Sequence, residues 1–247
     1  MPMPPVVMLH GFLGDRADFP LNSALSSAAY PLDLPGHGQQ TQYRLSKHQG
    51  FADFGHYFEA CITALGLQDY WLYGYSLGGR LALSIAARQP EGLRGVILES
   101  VHPGLTDAES RVARCQHDHA WAEAFREEPM TQVLARWYQQ AVFANLSEPQ
   151  RQQLIQRRQH NQGAAVADML EATSLGRQPD YRSWLSTPHC PVHYLAPGQD
   201  LKFKQLGQAV QSCHPDIQLH HFHDAGHNLH QACPRQWQQI LQEILHA

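Results

Sequence analysis

The stretch YWLYGYSLGGRLALSIAARQP, from Tyr70 to Pro90, decides how the rest of the chain is read. Its first half is an apolar run rich in aromatics, the composition of a buried strand, and its second half carries apolar residues at helical spacing. Ser76 stands at the junction, between Gly74 and Gly78, in a G-x-S-x-G pattern. A strand that turns abruptly into a helix needs small residues beside the turn, and such a turn thrusts the serine hydroxyl outward from a strained backbone. Ser76 is therefore the candidate nucleophile or base, and the question is whether its partners exist.

A serine hydroxyl becomes reactive only when a neighbour takes its proton, so a carboxylate and a histidine should follow it along the chain. Asp200 closes YLAPGQD and His227 lies in DAGHN, each just beyond an apolar run. Asp224 and Asp180 are weaker rivals for the acid, the first too close to His227 and the second outside a strand end. Developing negative charge would need backbone donors. The stretch LHGFLGD, Leu9–Asp15, offers the amide of Phe12, and the elbow offers that of Leu77.

Outward from these residues, short apolar runs alternate with helix-period segments, the signature of an α/β fold with a mostly parallel sheet flanked by helices. The candidate strands are PVVMLHG, AAYPLDLPG, YWLYGYS, GVILES, PVHYLAPG and IQLHHFHDAG. The strand pattern stops between His102 and about Trp184. There, Thr106 and Glu109 are spaced as a capping box, Ser147 and Pro149 open another helix, and further helices are expected at 131–138 and 163–175. The reading is a core of residues 1–102 and 185–247 with an inserted helical cap, 103–184.

The 247 residues are 43% hydrophobic, enough for one domain with a full core. A formal net charge of −4 without a basic tract argues against nucleic acid as partner. No signal-peptide pattern and no 18-residue apolar run is present, so no stable membrane association and a cytoplasmic location are expected. The five cysteines (Cys61, Cys115, Cys190, Cys213 and Cys233) are odd in number and widely spaced without a CxxC pair, so they indicate neither a disulfide framework nor a zinc knuckle and are read as buried or inert thiols. Five histidines fall in HHFHDAGHNLH. His221 could share a strand face with His223, and His227 a helical one with His230, so a metal site is conceivable there. HExxH is absent, and the simpler reading is a strand and loop carrying one important histidine, with neither metal nor cofactor.

Taken together, LHGFLGD, DLPGHG (Asp33–Gly38), GYSLGGR, HPGL (His102–Leu105), WYQQAVFANL (Trp137–Leu146) and MLEATSL (Met169–Leu175) resemble the 2-succinyl-6-hydroxy-2,4-cyclohexadiene-1-carboxylate synthases, the MenH-type lyases of menaquinone biosynthesis on the α/β-hydrolase fold. The likeness spans nearly the whole chain, and the cap segments make it specific. It implies elimination of pyruvate from 2-succinyl-5-enolpyruvyl-6-hydroxy-3-cyclohexene-1-carboxylate, with Ser76, His227 and Asp200 acting as a general base and no cofactor. Three substrate carboxylates call for arginine forks. Arg80 lies one helical turn after Ser76, and Arg114 and Arg158 match arginines that the family uses. Tyr75, Trp137 and Tyr138 are expected to line the pocket. Two rival readings use the same residues: a carboxylesterase or C–C hydrolase with Ser76 as covalent nucleophile, and a non-catalytic binding module, which the intact triad disfavours.

Overall fold

The computed structural model describes residues 3–246. Among them all six expected strands form: β1 (Val6–Leu9), β2 (Ala29–Leu32), β3 (Tyr70–Tyr75), β4 (Leu93–Glu99), β5 (Val192–Pro197) and β6 (Gln218–Phe222). They make one sheet in the order β2-β1-β3-β4-β5-β6, and every pairing is parallel. Parallel neighbours need crossovers, and helices supply them. The longer helices are α1 (Gly50–Leu65), α2 (Leu77–Ala86), α3 (Ala108–Glu127), α4 (Met130–Trp137), α5 (Glu148–Arg158), α6 (Gly163–Ala172), α7 (Leu201–Gln211) and α8 (Pro234–His246).

The strands are apolar on both faces because both faces are covered. Val7, Leu9, Leu72, Val96 and Leu98 point to the layer of α1, α2 and α7, with Phe54, Leu81 and Val210. Their neighbours Val6, Met8, Tyr73, Ile97 and Leu195 point to the opposite layer, where Trp237, Leu241 and Ile244 of α8 pack. This period-2 split turns one apolar run into two cores.

The segment between β4 and β5 is helical throughout, α3 to α6 with short turns, and has its own cluster of Phe125, Val133, Leu134, Val166 and Leu170. Two of its helix ends differ from the expected ones. Helix α3 is capped by Asp107, whose carboxylate accepts from the Ser110 amide at 2.7 Å, rather than by Thr106. Asp107 is one residue nearer the helix and is ionised, so it satisfies the orphan donors and the macrodipole together. Helix α6 ends at Ala172 rather than 175, because the Thr173 carbonyl turns to accept Arg80 Nη1 at 2.7 Å. Ser147 caps α5 as expected, in a capping box with Gln150. No described helix is long and apolar enough to cross a membrane.

Candidate active site

Because all strands run the same way, the loops after β1, β3, β4, β5 and β6 share one edge. The order reverses where β1 lies between β2 and β3, and such a switch point leaves a crevice at the carboxyl ends. Ser76 sits at that crevice with φ 50° and ψ −108°, a conformation that side chains avoid. The flanking glycines explain how it is held. A Cβ on Gly74 would lie 2.4 Å from the Gly78 carbonyl oxygen, and one on Gly78 would lie 2.2 Å from that of Leu9. The elbow thus closes only if both are glycine.

His227 follows β6 and brings Nε2 to 3.0 Å from Ser76 Oγ. Its Nδ1 lies 3.2 Å from Asp200 Oδ2, off the line of a well-formed hydrogen bond, and both atoms are buried with no other partner. Asp200 serves two ends: Oδ1 caps α7 by accepting from the Phe203 amide at 3.3 Å, leaving Oδ2 for the imidazole. Burial pushes the Asp200 carboxyl up, but His227 and the Phe203 amide outweigh it and hold it below the ordinary value. It is therefore ionised at neutral pH. The Phe203 ring lies edge-on to His227, with centroids 4.3 Å apart.

The Phe12 loop is held by two histidines that the sequence did not single out. His37 Nε2 accepts from the Leu13 amide at 3.1 Å, and His10 Nε2 accepts from Leu34 at 3.0 Å. Each ring must therefore carry its proton on Nδ1, which faces a carbonyl oxygen, that of Pro35 for His37 and of Gly11 for His10. Burial, with His10 adding to it, lowers His37 to about 3, and burial lowers His10 as well, so both are neutral acceptors. Among the described residues neither the Phe12 nor the Leu77 amide donates to another protein group. For Leu77, the first residue of α2, that is expected of a helix N-terminus.

Above the serine lies a cavity of about 570 Å³ into which Ser76, Asp200, His227, Phe12, Leu77, Arg80, Arg114, Arg158, Tyr75, Trp137 and Tyr138 all face. Every residue expected from sequence is thus brought together. Five cationic side chains line it against three carboxylates, among the described residues. Arg80 is held by the Thr173 carbonyl and by Gln178 Oε1 at 3.3 Å; burial, then Arg114, lowers its pKa to about 9, still cationic at neutral pH. Arg114 Nε bonds Asp118 at 2.8 Å, and the other Asp118 oxygen accepts from Ser174 at 2.6 Å. Arg158 is tied across the cavity to Asp18, at 2.5 and 2.6 Å, and to Asp15 at 3.2 Å. Trp137 packs on Phe12, centroids 5.1 Å apart, and so joins α4 to the loop after β1.

Asp18, Asp118, Lys202 and Gln178 were not visible as site residues in the sequence. Only Asp18 carried a usable signal, its place just after LHGFLGD. The suggested histidine pairs separate in function. His227 faces the serine while His230 turns into the core, and His221 and His223 stack with centroids 5.8 Å apart. Among the described residues no group of three or more metal-ligating side chains gathers.

Residues 6–237 match the model of the alpha/beta hydrolase family. The chain is 44% identical over 245 residues to the 2-succinyl-6-hydroxy-2,4-cyclohexadiene-1-carboxylate synthase of Klebsiella pneumoniae subsp. pneumoniae, covering 98% of this chain and 94% of the relative. It is 46% identical over 235 residues to that of Yersinia pseudotuberculosis, covering 94% and 83%. Among solved structures, MenH from S. aureus superposes with a TM-score of 0.89 at 24% identity, covering 98% of this chain and 93% of that one.

Proposed function

The chain belongs to the α/β-hydrolase family and, within it, to the 2-succinyl-6-hydroxy-2,4-cyclohexadiene-1-carboxylate synthases of menaquinone biosynthesis, and from that membership we propose how its own residues carry the elimination. The substrate, 2-succinyl-5-enolpyruvyl-6-hydroxy-3-cyclohexene-1-carboxylate, has an acidic ring proton α to the succinyl ketone. Ser76 Oγ takes that proton as its own passes to His227 Nε2, and Asp200 stabilises the imidazolium. The electron pair moves into the ketone as an enolate, whose oxygen is received by the Phe12 and Leu77 amides. Its return forms a ring double bond, shifts the existing one and breaks the ring C–O bond. The released enolpyruvate takes a proton and becomes pyruvate. No water is added, and no bond to Ser76 forms.

Arg80, Arg114 and Arg158 seat the carboxylates of the small tricarboxylate substrate, while Tyr75, Trp137 and Tyr138 bound the pocket. The helical segment 103–184 acts as a cap that supplies Arg114 and Arg158 and keeps solvent from the enolate. A cytoplasmic site of action agrees with the five free thiols. The observation that carries the reading is the 3.0 Å Ser76–His227 contact in a cavity where cations outnumber carboxylates.

The test is turnover of the enolpyruvyl substrate, with pyruvate and diene absorbance followed together. Equal yields of both are expected, along with an unmodified intact mass of quenched enzyme. Ser76→Ala and His227→Ala should each lower kcat by about a thousandfold or more, and Asp200→Asn by about a hundredfold or more, with the fold retained. A Ser76 adduct that forms in step with turnover would establish the nucleophilic reading of carboxylesterases and C–C hydrolases instead.

A further inference from the structure

Strand β4 ends beside the elbow in Glu99, with Ser100 directly after it; both are fully buried, and both reach the loop that carries His227. We propose that these two residues are positioning residues for His227, fixing the main chain at and just after it so that the imidazole meets Ser76. The inference rests on His227 being the base partner of Ser76.

The Ser100 hydroxyl donates to the His227 carbonyl at 2.7 Å. Glu99 Oε1 accepts from the Leu229 amide at 2.8 Å and faces His230 Nδ1 at 2.8 Å; the His230 amide lies at 3.4 Å. The other Glu99 oxygen accepts from the Tyr73 hydroxyl, and Tyr73 in turn accepts from Trp237 Nε1 at 3.2 Å. Residues 227 and 229 are therefore tied to two consecutive residues at the end of β4. The Glu99 main-chain carbonyl also accepts from the Ser76 amide, at 2.9 Å. The same residue thus grips the elbow by its backbone and the histidine loop by its side chain, and the Ser76–His227 separation is set across neighbouring strands.

Energetics favour this assignment over simple packing. A buried carboxylate costs desolvation, and none of the Glu99 partners is a lysine or arginine; an apolar residue of equal volume commonly serves stability as well. What an apolar residue cannot do is hold the Leu229 amide and the His230 ring at once. Ser100 keeps a left-handed φ of 52°, and although it borders the cavity its hydroxyl is committed to the His227 carbonyl. Asp200 cannot replace the clamp, because its contact with Nδ1 is misaligned and reaches only the ring.

Three variants test it: Ser100→Ala, which removes one hydrogen bond; Glu99→Gln, which keeps an acceptor for Leu229; and Glu99→Met, which keeps volume and no acceptor. Expected is a fall in kcat per folded molecule of about tenfold for Ser100→Ala. Glu99→Gln should lie between wild type and Glu99→Met, with KM within about twofold throughout. A purely structural role would lower the folded fraction and the melting temperature yet leave kcat per folded molecule intact. In a His227→Ala background the same substitutions should have no further effect on turnover, since they act only through that side chain. Should Glu99→Met fail to fold, Ser100→Ala and Glu99→Gln decide the matter. Wild-type kcat in both of these, or an equal loss without His227, overturns the clamp. Wild-type turnover by His227→Ala itself would overturn the base reading instead.

Discussion

His37 shows how one buried side chain can tie catalysis to proton balance. Its Nε2 must remain an acceptor for the Leu13 amide, and burial lowers its pKa from 6.5 to about 3. Between these values the unfolded chain holds a proton on this residue that the folded chain does not, so the folded state loses stability as pH falls from 6.5 toward 3. The loss approaches about 1.4 kcal/mol per pH unit for such a group, and His10 acts in the same direction. Urea unfolding at pH 4.5, 5.5 and 6.5 should show this slope, and His37→Gln should flatten it by up to about one proton's worth. An unchanged slope in the variant would mean that His37 is not neutral in the fold. Activity should follow the folded fraction over this range, because folded His37 stays a neutral acceptor and keeps hold of the Phe12 loop until the pH nears 3.

At the scale of elements, the contact between α5 and the loop after β1 carries two duties on one side chain. Arg158 is buried against Asp18, with Arg157 on the same carboxylate at 3.0 Å. Burial pushes the Asp18 carboxyl up, yet Arg158 outweighs it and holds it below the usual value. Arg158→Met would leave Asp18 buried with only the outer arginine, at a cost of about 3 kcal/mol. Adding Asp18→Asn should restore much of that stability, since the uncompensated charge is gone. It should not restore the KM for the tricarboxylate, which depends on the guanidinium facing the cavity. Chemical denaturation together with steady-state kinetics on the two single variants and the double variant separates the duties. Recovery of KM along with stability would reduce Arg158 to a latch.

Across the whole molecule, the helical segment and the sheet are joined too closely to unfold apart. Phe12 packs in both the sheet core and the helical cluster, Arg80 bonds Thr173, and Gln178 Nε2 donates to the His102 carbonyl at 2.9 Å. One cooperative transition is expected. In protein labelled with 5-fluorotryptophan, the ¹⁹F signals of Trp121 and Trp137 in the helical segment and those of Trp71 and Trp237 in the core should disappear at one urea midpoint. Earlier loss of the Trp121 and Trp137 signals would reveal a separately melting cap.

Local rules suffice for much of this protein. The elbow around Ser76 is written in the spacing of Gly74 and Gly78, the six strands in apolar runs that end in turn residues, and the reactive edge in the shared direction that parallel strands impose. Asp200 and His227 were legible for the same reason, since each follows a strand end. Helix ends were less so: Thr106 and Asp107 are both good caps, and a carbonyl diverted to Arg80 leaves no trace in helical periodicity. The pairings that set the site's charge and aim belong to tertiary structure alone. Asp18 meets Arg158 across 140 positions and Glu99 meets Leu229 across 130, because loop and strand are folded onto one edge. A buried charge or amide finds its partner by proximity in space, and that proximity is a property of the completed sheet and the helices packed over its edge.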